Sequence, residues 1–399
     1  MASENPILPS VKSKNTNSCD ELMRASRTLL WPALMLVLAF WGIPVSAGEM
    51  VKLKLSDGEM LTGKLELPAD SSHIQRLIVY IPGTGPRTYL TRRKIGNLEF
   101  NYYDLFTQEL TKRGVAFFTY NKRGCDVGDT PPNYETIDRE KFAKVVPSRE
   151  VPDLNSVIAF LKADKRLREA KIALLGWSEG TILAAMAAEQ NKDVEALLLA
   201  GYVNDNLFDV IKWQNSGASS MVNLRRYFRP NRDQVITREE YESTSAEAAT
   251  GRKALRGASF EQLDRNKDGK LTAEDFAILN GPRYARIMEA VQKNDDEWIW
   301  NNYFHVTTAW LNAHFKLEPN KTRLLRLTIP IFIFHGDEDG DTSVEGVYDI
   351  RSRFADAKKA NLHCFVFKHH DHDLYYMEWP LKKVISEGLQ KLFETSAAF

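Results

Sequence analysis

The sequence predicts a doubly wound α/β fold: a mostly parallel sheet with helices on both faces, interrupted by one helical insertion. Three observations predict it. Short unbroken apolar runs recur along the chain, as in strands that are buried on both faces. Stretches with apolar residues three and four apart separate most of these runs, the pattern of helices packed on one side. From about Tyr202 to Leu327 the rhythm stops, and no strand-like run appears. Alternating strands and helices imply right-handed crossovers within a parallel sheet.

The elements follow in chain order. Leu29–Ala47 is apolar and uncharged, follows Arg24 and Arg27, and ends in Val45-Ser46-Ala47, a small-residue cleavage pattern. Residues 1–47 read as a signal peptide, with translation from Met23 giving a leader of ordinary proportions. The competing reading is an uncleaved membrane anchor, because 19 apolar residues can just span hydrocarbon. Pro32, Gly42 and Pro44 favour cleavage and an extracytoplasmic location, periplasmic or secreted. Cys125 and Cys364 would then be the remaining thiols, and their pairing is left open.

Met50–Leu55 and Met60–Leu67 alternate apolar and polar around Ser56-Asp57-Gly58, an antiparallel hairpin with one wet face. The buried-strand runs are Leu77–Ile81, Val115–Tyr120, Ile172–Trp177, Ala196–Ala200, Ile331–Phe334 and Cys364–Phe367. Helices are expected over Asp104–Lys112, Val151–Leu167, Glu179–Glu189, Val344–Ala355 and Leu381–Phe393. A core of residues 48–201 and 328–399 is therefore expected, with residues 202–327 inserted as a helical cap over one edge of the sheet.

Composition narrows the function. The 399 residues are 43% hydrophobic and 27% charged, ordinary globular usage that excludes disorder, collagen and coiled coil. Lys+Arg and Asp+Glu both number 53, so no global field attracts a polyanion and nucleic acid is an improbable partner. Three cysteines exclude a disulfide-built scaffold and show no zinc-type spacing.

Gly176-Trp177-Ser178-Glu179-Gly180 ends the run KIALLGW and opens the helix EGTILAAMAAE. A strand turning abruptly into a helix presents the serine at the carboxyl edge of the sheet, and the glycines let neighbouring backbone pass close. A serine hydroxyl needs a base. His372 is favoured among His369, His370 and His372, in the loop between the last strand and the last helix. The orienting acid should come from His335-Gly336-Asp337-Glu338-Asp339-Gly340-Asp341, with Asp339 ahead of Asp337. Tyr80-Ile81-Pro82-Gly83-Thr84-Gly85-Pro86 offers an oxyanion turn, in which the N–H of Thr84 would act with that of Glu179.

Together these segments resemble the α/β-hydrolase fold family. The chain order Ser178, Asp339, His372 and the elbow Gly176–Gly180 match its pattern. Pro82-Gly83-Thr84-Gly85-Pro86 is similar to its H-G-S-G-P loop, with proline for histidine. Tyr120-Asn121-Lys122-Arg123-Gly124 is similar to its Y-D-x-R-G turn, with asparagine for aspartate. The resemblance covers about Met50–Gly201 and Thr328–Phe399, on the esterase and serine-aminopeptidase side. It implies an acyl-enzyme mechanism on esters or, with the same three side chains, on peptides.

A second motif lies in the insertion. Residues 264–275 (DRNKDGKLTAED) resemble an EF-hand loop: oxygen side chains at positions 1, 3, 5 and 9, glycine at 6, a carboxylate at 12. Asp264, Asn266, Asp268, the Lys270 carbonyl, Thr272 and Asp275 would hold Ca2+, with the shorter Asp275 shifting preference toward Mg2+. The ion's expected role is structural, and none is required for chemistry. Trp213, Tyr227, Phe228, Trp298, Trp300, Tyr303, Phe304 and Trp310 would form the core of the cap or wall a substrate pocket.

The leading reading is an exported serine hydrolase acting on small-molecule esters, with a short-peptide peptidase second. A metal-dependent hydrolase on His369, His370, Asp371 and His372 is disfavoured, since those residues are contiguous and no second histidine cluster completes a site. A non-catalytic calcium-binding module stands last.

Overall fold

The computed structural model describes residues 48–228 and 234–399; the leader expected over residues 1–47 lies outside them. Eight strands form one sheet. They are β1 (Glu49–Lys54), β2 (Met60–Glu66), β3 (Arg76–Ile81), β4 (Val115–Tyr120), β5 (Lys171–Trp177), β6 (Val194–Ala200), β7 (Ile331–Gly336) and β8 (Leu362–Phe367). Their spatial order is β1-β2-β4-β3-β5-β6-β7-β8. β2 pairs antiparallel with β1 and β4; every other neighbour is parallel.

Side-chain alternation explains why these runs are strands. In β5, Ile172 and Leu174 enter one core while Ala173, Leu175 and Trp177 enter the other. β6 divides the same way, with Leu197 and Leu199 against Leu198 and Ala200. Helices Pro147–Ala163, Gly180–Gln190 and Glu345–Asp356 cover the first face, and Asp104–Lys112 and Glu387–Ser396 the second. Each large apolar side chain so buried contributes about 1.5–3 kcal/mol.

Several boundaries differ from expectation for local reasons. The helix expected over Val151–Leu167 runs Pro147–Ala163, because Pro147 sits in the first turn, where its missing N–H costs nothing. The single helix expected over Leu381–Phe393 is two, Glu378–Lys382 and Glu387–Ser396. Lys383 turns left-handed at φ 58°, and Ser386 caps the second helix by accepting from Leu389 N–H. Two small hairpins were not anticipated: Arg92–Ile95 with Leu98–Asn101, and Cys125–Val127 with Glu135–Ile137. Cys125 and Cys364 are both free, and burial pushes their thiols up to about 12 and about 11.

Between β6 and β7 the described residues form nine helices, from Leu207–Asn215 to Asn320–Leu324. Ile211, Ile287, Trp310 and Leu311 pack with Ile182, from the helix that follows β5. A separate cluster gathers Leu224, Phe228, Ile236, Tyr241, Phe260, Leu263, Leu271 and Phe276 around loop 264–275. Among the described residues no helix is long and apolar enough to cross a membrane.

Candidate active site

Sheet register brings the chemistry to one rim. Ile81 lies opposite Gly176, Ala200 opposite both Trp177 and Phe334, and Gly336 opposite Phe367. The residues that leave these strand ends are Pro82–Pro86, Ser178, Gly201, Asp337–Asp341 and Lys368–Asp373. Strand order also reverses at β3, where open parallel sheets form their ligand crevice.

Ser178 occupies the left-handed region at φ 55°, a conformation costly for a residue with a side chain. Its surroundings hold it there. A Cβ on Gly176 would stand 2.4 Å from the Gly180 carbonyl oxygen, and one on Gly180 2.2 Å from that of Ile81. Backbone approaches that close leave room only for glycine, so both glycines of the motif have a steric reason. Ser178 N–H donates to Ala200 O at 2.9 Å, which ties the elbow to β6.

His372 and Asp339 are bonded. Nδ1 of His372 lies 2.8 Å from Asp339 Oδ2, so in the neutral ring the proton belongs on Nδ1 and the lone pair on Nε2. Asp339 is fully buried and accepts three further bonds, from Asp341 N–H, Thr342 N–H and Thr342 Oγ1–H, each 2.8 Å. Burial works against its charge, but His372, His335 and these donors hold its pKa at about 2. Burial likewise opposes the imidazolium of His372, and Asp339 overrides it, raising the imidazole to about 9. Leu374 is wholly buried and anchors the loop, and Trp177 Nε1 donates to the His372 carbonyl at 3.3 Å. Gly201, at φ 55°, has no room for a side chain: its Cβ would meet His372 Cε1 at 2.6 Å.

The competing candidates are engaged elsewhere. His369 is largely exposed and bonds Glu338 at 3.0 Å, while Asp337 accepts from His369 N–H. His370 bonds the Lys368 carbonyl through Nδ1 and the Gly388 N–H through Nε2. Asp337, Glu338 and His369 are the metal-type ligand group that converges among the described residues, with atoms within 4.8 Å of one another.

Thr84 and Glu179 flank the serine. A Cβ on Gly83 would contact Ser178 Cβ at 3.1 Å, so the β3 turn lies against the elbow. The Glu179 side chain, unassigned in the sequence reading, is a buried hub. Its Oε1 accepts from Trp310 Nε1 and His314 Nε2, both at 2.9 Å, and its Oε2 lies 3.5 Å from Lys122 Nζ. Lys122 also reaches Glu150 at 3.2 Å. Burial raises Glu150; Glu179 stays low despite its burial because Lys122, His314 and Trp310 stabilise its charge. Lys122 belongs to the Tyr120–Gly124 motif, the one sequence signal that could have pointed to this network.

Ser178, His372, Thr84 and Glu179 line one cavity of about 480 Å³, which Tyr303, Phe304 and Trp310 help to wall. In the insertion, loop 264–275 has Lys267 and Gly269 left-handed, and Asp264 accepts from the N–H groups of Asp268 and Gly269. Asp275, expected as the closing ligand, is fully buried. Oδ1 takes the N–H groups of Arg265 and Asn266, and Oδ2 takes Thr272 N–H and Oγ1–H. Its arm, one methylene shorter than glutamate, leaves the carboxylate on its own loop backbone.

Several solved structures are similar to this chain over most of its length. An esterase from Pyrococcus furiosus shares 13% identity, covers 88% of this chain and 91% of its own, and has a TM-score of 0.43. Est1E from Butyrivibrio proteoclasticus shares 12%, covering 88% and 96%, at 0.43. An acylaminoacyl peptidase from Pyrococcus horikoshii shares 13%, covering 84% and 39%, at 0.42. No curated protein matches the sequence. The family described as alpha/beta hydrolase fold matches residues 95–377, well over half of the chain. The chain belongs to the alpha/beta hydrolase fold family.

Proposed function

We propose that the protein is a serine hydrolase that cleaves carboxylic esters through an acyl-enzyme on Ser178. The observation that carries this reading is the 2.8 Å bond between His372 Nδ1 and a fully buried Asp339, at the rim where the strained Ser178 elbow opens. With its proton fixed on Nδ1, His372 takes the Ser178 proton at Nε2 as Oγ attacks the substrate carbonyl. The N–H groups of Thr84 and Glu179 receive the oxyanion; losing one such donor costs about 2.7–4 kcal/mol. His372 then protonates the departing alcohol, and a water repeats the sequence to release the acid.

In the same reading the 264–275 loop stabilises the helical insertion by holding a divalent cation, Ca2+ or Mg2+. Asp264, Asn266, Asp268, the Lys270 carbonyl and Thr272 supply the all-oxygen set such an ion requires. Asp275, at the twelfth position, closes the set. Export rests on the leader sequence of residues 1–47.

A fluorophosphonate probe tests the nucleophile. It should label the native chain once and the folded Ser178→Ala variant not at all. Equal labelling of both would sink the assignment, and p-nitrophenyl esters assayed beside aminoacyl-anilides decide between ester and amide bonds.

A further inference from the structure

The cavity beside Ser178 carries both signs of charge. Its lining holds three cationic side chains, of Arg87, Arg93 and Lys94, and four carboxylates, of Glu135, Glu179, Asp341 and Asp373. Lys94 is already paired with Glu99 at 3.0 Å. Arg93 is the informative residue. Its side chain is only 9% exposed, and Nη1 donates to the carbonyl oxygens of Arg92 and Asn133 at 2.9 and 3.0 Å. Among the described residues no acceptor is hydrogen-bonded to its Nε or Nη2. Glu135 stands 3.8 Å from Nη1, an ion pair that balances the charge but lies beyond hydrogen-bonding reach. That same oxygen, Glu135 Oε2, is buried without a hydrogen-bond partner.

Unlike that oxygen, Nε and Nη2 of Arg93 keep some exposure, so they open on the cavity, where a ligand acceptor can replace water. Burial and then the like charge of Arg87 lower the Arg93 pKa to about 10, so the charge is held against resistance. Arg87 also extends this charged lining to the oxyanion turn: its Nη1 would be 3.5 Å from a Cβ on Gly85.

We propose that the preferred substrates are esters bearing a carboxylate, received by Arg93 with Arg87 beside it. A planar guanidinium matches a carboxylate in both geometry and charge. The inference rests on the serine-esterase reading and names its substrate class.

The test uses p-nitrophenyl esters of three six-carbon acids, ending in a carboxylate (adipate), a methyl (hexanoate) and an ammonium (6-aminohexanoate). The full chain should favour adipate over hexanoate by about tenfold in kcat/KM, the scale of one charge-assisted hydrogen bond. In Arg93→Gln the adipate-to-hexanoate ratio should fall to about one; a ratio read within one variant cancels any general loss. Should that variant not fold, free adipate must inhibit hexanoate turnover by the native chain competitively, and less so at high salt. Equal rates on adipate and hexanoate, an unchanged ratio in Arg93→Gln, or no inhibition would overturn the proposal. A preference for 6-aminohexanoate would overturn it too, and would assign the subsite to Glu135 and an amine. If none of the three esters turns over, the esterase reading fails instead. Calorimetric titration of adipate into full-length Ser178→Ala then tests the subsite alone, and absence of binding overturns it.

Discussion

Replacing Asp339 by asparagine probes the proposed chemistry at one atom. Asp339 Oδ1 accepts two backbone N–H groups, from Asp341 and Thr342, so the asparagine amide oxygen should settle in that place. Its nitrogen then stands where Oδ2 was, donating toward His372 Nδ1. Nδ1 must accept, and the ring proton moves to Nε2, the atom required as the base. A wrong tautomer costs about 10⁴ in kcat, roughly 5 kcal/mol of barrier.

Two pH signatures accompany the loss. Asp339 sits at about 2 against an ordinary 3.8, which corresponds to roughly 2 kcal/mol of stability, an order-of-magnitude figure. Because that pKa is lowered, the stabilisation is present above about pH 4 and fades as pH falls through about 2. His372, ordinarily 6.5, is raised to about 9, so its contribution is full below 6.5 and fades as pH rises through about 9. The two shifts describe one attraction and are counted once. Since the neutral imidazole is the proposed base, native kcat/KM should climb on a limb alkaline of 6.5, and in Asp339→Asn the residual limb should move down. Steady-state hexanoate-ester hydrolysis from about pH 5 to 10, with melting measured in parallel, reads both effects. Asp339→Asn retaining more than about a tenth of kcat, or Asp337→Asn doing equal harm, would refute the reasoning.

Further outcomes are expected. Gly180→Ala places a Cβ 2.2 Å from the Ile81 carbonyl oxygen, a backbone atom that cannot step aside; overpacking of about 1–3 kcal/mol should appear as a lower Tm. Glu179→Gln leaves Lys122 with weakened buried compensation, and urea denaturation should show about 3–5 kcal/mol lost; a change below about 1 kcal/mol would mean the hub is already solvated. Calcium should raise the Tm of the native chain and not that of Asp264→Ala, while EDTA leaves hexanoate turnover intact. Loss of turnover with unchanged melting would contradict a structural ion.

Much of this fold was legible because its signals are local. The runs from Leu77 to Phe367 are strands since a strand buried on both faces needs no polar alternation, and continuous apolarity marks it. The Gly176–Gly180 motif carried the elbow, because its steric demand is written in two glycines. The Arg92–Asn101 hairpin was missed although Gly96-Asn97 is a recognised two-residue turn, since its strands are short and charged. The break at Lys383 was missed because a left-handed lysine leaves no compositional mark, although Ser386 offered a cap. Least legible was the hub on Glu179. Lys122, Trp310 and His314 stand 57, 131 and 135 residues from it along the chain, and only folding brings them to one carboxylate.

That carboxylate also bears on how such a protein can be remodelled. Trp310 and His314 belong to the helix Thr308–Phe315 between β6 and β7, yet both end on the residue next to Ser178. Shortening the chain to its sheet-bearing portions would strand an anion beside Ser178 with two of its three donors gone. The roof and the floor are joined by a common keystone, so a graft that replaces one must bring two matching donors with it.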